Sequence, residues 1–468
     1  MRGLLMVAGA VLLVAQVRGQ TMDRTKPPQT PDLPVFKLPP VFETRLPNGL
    51  TVLLAEDRRF PIVTARLGFE AGAKYDPAEL RGLSETAGEL LTEGTTHRTA
   101  RQIAEEAASI GGSLHADSSA DSLVLAASAL SENLPQLLGL MADVAHNATF
   151  PEDEVALRKQ NRKQELLAQR ADAGFLADEK FSEVVFSPHP YSRQDPTPES
   201  IDRLNRAALA GFRDRYLVPA NAVLVLLGAL PERKQSLDLI RTRFGDWARK
   251  ETPAAPAARF PAPGKSITLV DRPGSVQADL RIGRLAVTRT DADYFPLLVA
   301  NTILGGGASS RIFANVREKM GYAYDVHSAA MPLKDSGTFS VATQVRNEVL
   351  VPAIQALLAE MREIATQDVS ADELATARNY LSGVFVMRLE TQDGLASQLA
   401  AAKLLGLPLD YIEKYTARVR AVDAAGIRAV AAKYISPDAA ALVAVGDAAK
   451  ISKQLETFGK LSIVKADR

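Results

Sequence analysis

Hydrophobic and polar residues alternate with two different periods along the chain, which predicts a mixture of strands and helices. In the first half, runs rich in β-branched and aromatic residues predict strands at Phe42 to Leu46, Leu50 to Ala55 and Ile62 to Phe69. The tripeptide Pro47-Asn48-Gly49 between the first two is a hairpin signal. Helical spacing follows at Leu83 to Leu91, Ala100 to Ile110, Leu134 to Ala145 and, with many charges, Glu152 to Arg170.

The second half has the same mixture of periods. Strands are predicted at Ile267 to Val270, Gln277 to Arg284 and Thr338 to Gln344. Helices are predicted at Tyr294 to Ile303, Leu350 to Ile364 and Ala371 to Val384. The predicted fold class is therefore α+β, with helices packed on mainly antiparallel sheets.

An internal repeat divides the chain into two halves. Tyr216, Pro219 and Gly228 recur as Tyr434, Pro437 and Gly446, each 218 residues later. Each triplet follows a predicted helix, Leu204 to Arg215 or Val422 to Lys433, and each contains a Pro-bearing turn and a buried strand. Three identical residues that recur at the same sequence separation indicate an internal duplication. We expect an N-terminal half at 41–249, a linker at 250–264, rich in Pro and Ala, and a C-terminal half at 265–468.

The N-terminus predicts export. Arg2 precedes an apolar run from Leu4 to Ala15, and small residues around Gly19 resemble a cleavage point. We expect a signal peptide at 1–19, a Pro-rich lead at 20–40 and a periplasmic or secreted mature protein. The run is short for a membrane span, although an uncleaved anchor is the alternative.

Composition excludes several classes of site. Lys plus Arg and Asp plus Glu each number 55 among 468 residues, which gives no reason to expect nucleic acid or an anionic membrane as a partner. No stable membrane span is expected in the mature protein. There are no cysteines, so disulfides, thiolate zinc sites and Cys nucleophiles are excluded.

The most informative segment is Gly82 to Thr95, which reads GLSETAGELLTEGT. An inverzincin helix places His-x-x-Glu-His in this frame, with two histidines to hold zinc and a glutamate to activate water. The three positions are occupied by Glu85, Gly88 and Glu89. Both imidazoles and the base are missing, so we expect no zinc in this chain.

The frame around this segment resembles the insulinase/pitrilysin family of zinc metallopeptidases, over nearly all of the mature chain. In the first half the resemblance rests on Pro47-Asn48-Gly49-Leu50, Gly82-Leu83, Gly94-Thr95, His189-Pro190-Tyr191 and Glu199-Ser200-Ile201. In the second half it rests on Asn301 to Gly306, Ser310 to Phe313 and Val316 to Tyr324. The resemblance implies a duplicated fold and places the third zinc ligand at Glu165.

Other chemistry has weaker support. Glu85, Glu89 and Glu165, if they lack a counter-charge, favour Mg²⁺ or Ca²⁺ over zinc. The favoured alternative is that they are solvated or salt-bridged surface acids.

The histidines form no helical ligand pair: they are His97, His115, His146, His189 and His327. No Gly-x-Ser-x-Gly elbow stands out, and Gly305-Gly306-Gly307 lacks the tail of a phosphate loop.

The resemblance also implies that Arg317 and Tyr324 bind substrate and stabilise the transition state. Gly321 suits a helix C-cap, which places Arg317 in the last turn and Tyr324 at the start of a strand. Arg and Tyr can both donate hydrogen bonds to a peptide carbonyl. The alternatives are that Arg317 pairs with Glu318, that Tyr324 is a core aromatic, or that Tyr322 takes its role.

Taken together, these features predict the non-zinc subunit of a heteromeric periplasmic metallopeptidase. Its homologous partner would carry the zinc motif and hold zinc, and together they would bind peptide substrates, with Arg317 and Tyr324 contributed in trans. A different class, an inert peptide-binding or structural scaffold of the same fold, is the alternative. A peptidase that is active alone is a third, weaker interpretation.

Overall fold

Two six-stranded sheets form the framework of the chain in the computed structural model, which describes residues 36–251, 254–262 and 264–466. The strands are β1 Val41–Arg45, β2 Thr51–Glu56, β3 Ile62–Phe69, β4 Ser113–Ser118, β5 Leu123–Leu130, β6 Ala222–Gly228, β7 Ser266–Asp271, β8 Gln277–Ala286, β9 Ala323–Met331, β10 Gly337–Arg346, β11 Ala441–Gly446 and β12 Leu461–Lys465. The predicted signal peptide and most of the Pro-rich lead lie outside the described residues.

Helices connect and cover these strands. They are α1 Leu83–Leu90, α2 Ala100–Ser109, α3 Leu134–Asn147, α4 Glu152–Arg170, α5 Ala173–Phe186, α6 Pro198–Arg203, α7 Arg206–Tyr216, α8 Arg233–Phe244, α9 Tyr294–Leu304, α10 Leu350–Thr366, α11 Ala371–Leu389, α12 Gln392–Leu404, α13 Asp410–Ala421, α14 Ala424–Val430 and α15 Ala448–Leu455. Within the described part of the chain, no helix is long and apolar enough to cross a membrane.

The order of strands confirms the α+β class and the two homologous halves. The first sheet has the order β1-β2-β6-β3-β5-β4 and the second β12-β7-β11-β8-β10-β9. In the first sheet the parallel pair β2–β6 is followed by antiparallel neighbours. In the second sheet the parallel pair β7–β11 is followed by antiparallel neighbours in the same way. Only the outer strand beside that pair differs, because β1 precedes the repeat and β12 follows it. The position of the linker at 250–264 stays a prediction.

Each half contributes one helix to the other half's sheet. Helix α5 packs on β8 and β11, and α12 packs on β3 and β6. Glycines allow the close approach: a Cβ on Gly68 would lie 2.8 Å from Leu404 of α12, and a Cβ on Gly283 would lie 3.0 Å from Phe181 of α5. We call α5 and α12 the exchanged helices. They join the two sheets through apolar contacts that neither half has alone.

Ion pairs fix the exchanged helices in equivalent ways. Arg281 on β8 pairs with Asp178 on α5 at 2.6 Å, and Arg66 on β3 pairs with Asp393 on α12. The two arginines, Arg66 and Arg281, are 215 residues apart, and so are the two aspartates, Asp178 and Asp393. The repeat therefore extends to the contacts between the halves.

Candidate functional site

The segment that resembles a zinc helix is helical, as predicted. Helix α1 begins after Gly82, which has a φ of +86°. The Asp76 carboxylate accepts hydrogen bonds from the backbone N–H groups of Gly82 at 3.1 Å and Ser84 at 3.0 Å. The carboxylate thus satisfies donors at the helix N-terminus, where negative charge is favoured. Helix α1 carries Glu85, Gly88 and Glu89.

Two arginines of α4 lie among the glutamates at the degenerate zinc-motif positions. Arg158 donates to Glu89 at 2.6 Å and to Glu165 at 2.9 Å. Arg162 lies 3.3 Å from Glu85 and 3.6 Å from Glu165. The structure therefore brings Glu85, Glu89 and Glu165 together, as the resemblance implied. We call these five residues the arginine–glutamate cluster.

The charges in the arginine–glutamate cluster contradict the interpretation that the three glutamates bind a hard cation. The premise that the three carboxylates lack a counter-charge is wrong, because both guanidinium groups lie between them. These fixed positive charges oppose the binding of Mg²⁺ or Ca²⁺ there. Burial raises the pKa of Glu89, while the positive charge of Arg158 acts in the opposite direction. The observed contacts agree with the other interpretation, in which the three glutamates are salt-bridged acids.

The described histidines lie in separate environments. His97 contacts Asp143 at 2.7 Å, His115 contacts Asp117 at 3.5 Å, and His327 contacts Asp325 at 3.0 Å. His146 packs on Trp247, and His189 is buried with its Nε2 3.3 Å from Asp335. Over the described ranges, no group of three His, Asp or Glu side chains is arranged to hold a metal ion.

In the second half, Arg317 stands at the end of a π-helical turn, Phe313–Lys319. Gly321 has a φ of +66°, and its N–H donates to the Arg317 carbonyl at 3.1 Å. The Arg317 guanidinium lies 4.5 Å from the centre of the Phe313 ring and 5.2 Å from that of Tyr324. Cation–π contacts of this kind orient the guanidinium while leaving its N–H groups able to donate elsewhere.

None of the three alternatives given for this pair describes the observed contacts. Among the described residues, no carboxylate lies within 4.0 Å of Arg317, and Glu318 is exposed. The Tyr324 side chain is 87% exposed, so it is not a core aromatic. Tyr322 is half-buried and packs against the core of the second sheet. The structure therefore brings Arg317 and Tyr324 together at an open surface.

A β-bulge sets the direction of Tyr324. Ala323 pairs with Val345 and Val326 with Thr343, so Tyr324 and Asp325 both lie opposite Gln344. In a bulge two residues oppose one, which changes the direction of a side chain. Tyr324 and Asp325 are both exposed, and the Thr343 hydroxyl donates to the freed Asp325 carbonyl at 2.8 Å.

Two functional features were missed by sequence reasoning. Arg158, Arg162 and Glu165 have the spacing i, i+4, i+7, which places them on one helix face, so this signal was available. The bulge at Tyr324 and Asp325 had no comparable signal, because bulges depend on pairing with the neighbouring strand.

The chain has a duplicated α+β fold, and the helix that matches a zinc helix in position lacks the metal ligands. These two features define a peptidase-like class of protein. Two family profiles match the chain: "Insulinase (Peptidase family M16)" over residues 51–194 and "Peptidase M16 inactive domain" over residues 203–381. The chain belongs to this insulinase family.

Individual relatives agree with the family. An uncharacterized zinc protease of Mycobacterium leprae is 27% identical over 368 residues, 78% of this chain and 82% of that protein. A probable mitochondrial-processing peptidase subunit beta of Arabidopsis thaliana is 23% identical over 430 residues, 88% of this chain and 79% of that protein.

Solved structures share the fold. The peptidase M16 inactive domain from Pseudomonas fluorescens superposes with a TM-score of 0.81 at 26% identity, covering 87% of this chain and 98% of that one. A protease from Helicobacter pylori gives a TM-score of 0.79 at 19% identity, covering 87% of this chain and 100% of that one.

Proposed function

We propose that this chain is the non-zinc subunit of a heteromeric periplasmic metallopeptidase. A homologous chain would hold zinc, and this chain would contribute Arg317 and Tyr324 to the shared peptide site. The fold and the family support a peptidase-like scaffold, and the substituted zinc motif supports a requirement for a partner. The name of the Arabidopsis relative, subunit beta of a processing peptidase, supports action as a subunit.

The observation that carries this proposal is the arginine–glutamate cluster. Zinc hydrolysis needs a bound metal whose water has a lowered pKa, and a catalytic zinc needs neutral or anionic ligands around an open position. In this chain two guanidinium groups contact the glutamates at the motif positions. The hydrolytic metal would therefore be supplied by another polypeptide.

The pair of a half-buried Arg317 and an exposed Tyr324 supports a remaining role in substrate binding. Arg317 is held by two aromatic rings and has donors free for a ligand. Donors that point at a developing oxyanion are worth roughly a hundredfold in rate each. A purely structural scaffold has no need of an exposed Tyr beside an arginine without a carboxylate partner.

Substitution of the pair tests this role. Arg317→Ala in the complex with the zinc-bearing chain is expected to lower kcat for peptide hydrolysis by roughly a hundredfold while leaving assembly unchanged. Lys319→Ala, an exposed cation on the same turn, is the matched control and is expected to leave hydrolysis unchanged.

Two results would contradict the proposal. Unchanged hydrolysis by Arg317→Ala and Tyr324→Phe would remove these residues from the mechanism. Native complexes that never contain a chain with His-x-x-Glu-His would favour the inert scaffold instead.

A further inference from the structure

Two polar residues of β9, His327 and Asp325, lie near the proposed Arg317–Tyr324 site and have no role in it so far. His327 Nδ1 lies 3.0 Å from Asp325 Oδ2. Both side chains are exposed, 54% for His327 and 66% for Asp325. The pair is three residues or fewer from Tyr324 along the same strand.

The pairing register places the pair on the same face of the sheet as Tyr324. His327 pairs with Ala342, which pairs in turn with Arg281, and residues in one such row share a face. The bulge directs both Tyr324 and Asp325 to the side of Gln344, two residues from Ala342 on β10. Tyr324, Asp325 and His327 therefore form one continuous exposed row.

The hydrogen bond to Asp325 selects one tautomer of the imidazole. An ionised carboxylate only accepts hydrogen bonds, so Nδ1 must carry the proton. In the neutral ring the other nitrogen, Nε2, then presents a lone pair. Over the described part of the chain, Nε2 of His327 makes no hydrogen bond.

We propose that His327, held by Asp325, is a third peptide-binding residue of this site, and that its Nε2 accepts a hydrogen bond from a backbone N–H of an extended peptide. This inference rests on the proposed function and deepens it. A peptide group offers one donor and one acceptor. Arg317 has donors only, so it can bind the carbonyl, whereas His327 supplies the complementary acceptor.

The spacing fits an extended chain. The bulge sets Tyr324 opposite Gln344, two residues from the partner of His327, so at about 3.3 Å per residue the two side chains are about 7 Å apart along β9. An extended peptide beside β9 would place an N–H two or three residues from the carbonyl bound by Arg317 and Tyr324. Recognition of this kind reads the peptide backbone, and it predicts broad tolerance of side chains near His327.

Several charged groups share this face with the pair. They include Asp279 and Arg281 on β8, Arg346 on β10, Asp178 on α5, and Arg317. Arg281 pairs with Asp178, and Asp279 accepts a hydrogen bond from Gln344 at 2.9 Å. On β9, His327 and Asp325 remain open to a ligand, and Arg346 is a further exposed cation of the same face.

The test uses the full chain and a fluorescein-labelled, unstructured peptide rich in Ala and Ser, with fluorescence anisotropy as the readout. His327→Ala is expected to weaken binding about fivefold, the effect of one neutral hydrogen bond. His327→Gln, which keeps an acceptor oxygen, is expected to bind as the wild type does. Asp325→Ala is expected to weaken binding, by no more than His327→Ala does, because the imidazole then loses the acceptor that fixes its proton on Nδ1.

Urea unfolding separates binding from packing. Because both side chains of the pair are exposed, His327→Ala and His327→Gln are expected to unfold at the same urea concentration as the wild type. Weaker anisotropy of His327→Ala at unchanged stability therefore reports a lost peptide contact.

A matched control exists in the first sheet. His115 pairs with Ala126, which pairs with Arg66, so its place in the row is equivalent to that of His327. His115→Ala is expected to leave peptide binding unchanged.

Three results would overturn the inference: no binding by the wild-type chain, equal binding by His327→Ala, or weakening by His115→Ala to the same degree. Hydrolysis assays of Arg317→Ala distinguish the failures. If Arg317→Ala lowers hydrolysis and His327→Ala binds normally, only this inference falls. If neither substitution has an effect, the proposed function falls too.

Discussion

Arg158 of helix α4 donates to the Glu89 carboxylate of helix α1 at 2.6 Å, at a position where the family's zinc helix carries a histidine. The contact links the two helices that would hold the metal. With Arg162, it places two positive charges beside Glu85, Glu89 and Glu165. The two helices that correspond to the family's metal-holding pair are thus in contact here through ion pairs of their own side chains.

Removal of Arg158 should destabilise the fold. Arg158→Ala leaves Glu89 and Glu165 without their shared partner, and we expect a loss of about 1–2 kcal/mol because the guanidinium is mostly buried but the carboxylates are partly solvated. Urea unfolding of the full chain measures this loss. Lys163→Ala on the same helix removes an exposed pair with Asp202 and should cost less than about 0.5 kcal/mol. Equal effects from both variants would show that the cluster has no special role.

The zinc motif can be rebuilt as a test of the arginines' effect. Gly88 has room for a side chain, since a Cβ there would meet Leu123 at 3.5 Å and Ser118 at 3.7 Å. The variant Glu85→His, Gly88→Glu, Glu89→His is expected to bind zinc weakly. Adding Arg158→Ala and Arg162→Ala should increase the affinity at least about tenfold, because like charges no longer oppose the cation. Titration calorimetry measures both affinities, and tight zinc binding with the arginines retained would contradict this account.

The exchanged helices should contribute strongly to stability. Arg281 makes two contacts with Asp178, at 2.6 and 3.0 Å, and also donates to the carbonyls of Gly174 and Leu280. Arg281→Ala is expected to cost about 1–2 kcal/mol, since it removes an ion pair and two further hydrogen bonds of a mostly buried guanidinium. Asp178→Asn, which keeps a hydrogen-bonding side chain, should cost less. Urea unfolding compares the two, and a negligible effect of Arg281→Ala would mean that apolar packing alone holds α5.

Stability should fall in mild acid because of His146. Burial lowers the pKa of His146 from 6.5 to about 4, so the folded state keeps the ring neutral while the unfolded state protonates. Stability is therefore fully present above pH 6.5 and is lost as the pH falls towards 4, by up to about 3 kcal/mol. The ring centre lies 4.3 Å from that of Trp247, the sole tryptophan of the sequence, whose fluorescence reports unfolding.

His146→Phe provides the control for this pH dependence. An aromatic ring that does not titrate should keep the packing on Trp247 and flatten the stability profile between pH 6.5 and 4. An unchanged profile would assign the acid sensitivity to other groups.

Local pattern predicted much of the framework. Strand β3 and helix α4 have the predicted bounds, and Tyr216 and Tyr434 precede equivalent strands, β6 and β11. These elements have one apolar and one polar face, or are uniformly apolar, so the signal lies in the sequence itself. The choice of Arg317 and Tyr324 as site residues came from the family resemblance rather than from pattern, and their roles stay a prediction.

The exchanged helices and the arginine partners of the three glutamates were not predicted. Helix α12 has small residues on several sides because it packs between the first sheet and the second half, so its amphipathic pattern is weak. The contacts of α4 with α1 depend on tertiary packing, whereas the charged residues of a helix usually form a solvated face. Arg158 and Arg162 are instead mostly buried.

Metal content and hydrolysis, measured on the isolated chain and on the native complex, test the central claim most directly. We expect the isolated chain to contain no stoichiometric zinc and to show no chelator-sensitive peptide hydrolysis, and the complex to hydrolyse peptides through a companion with His-x-x-Glu-His. One zinc per isolated chain, together with hydrolysis that a chelator abolishes, would contradict the account.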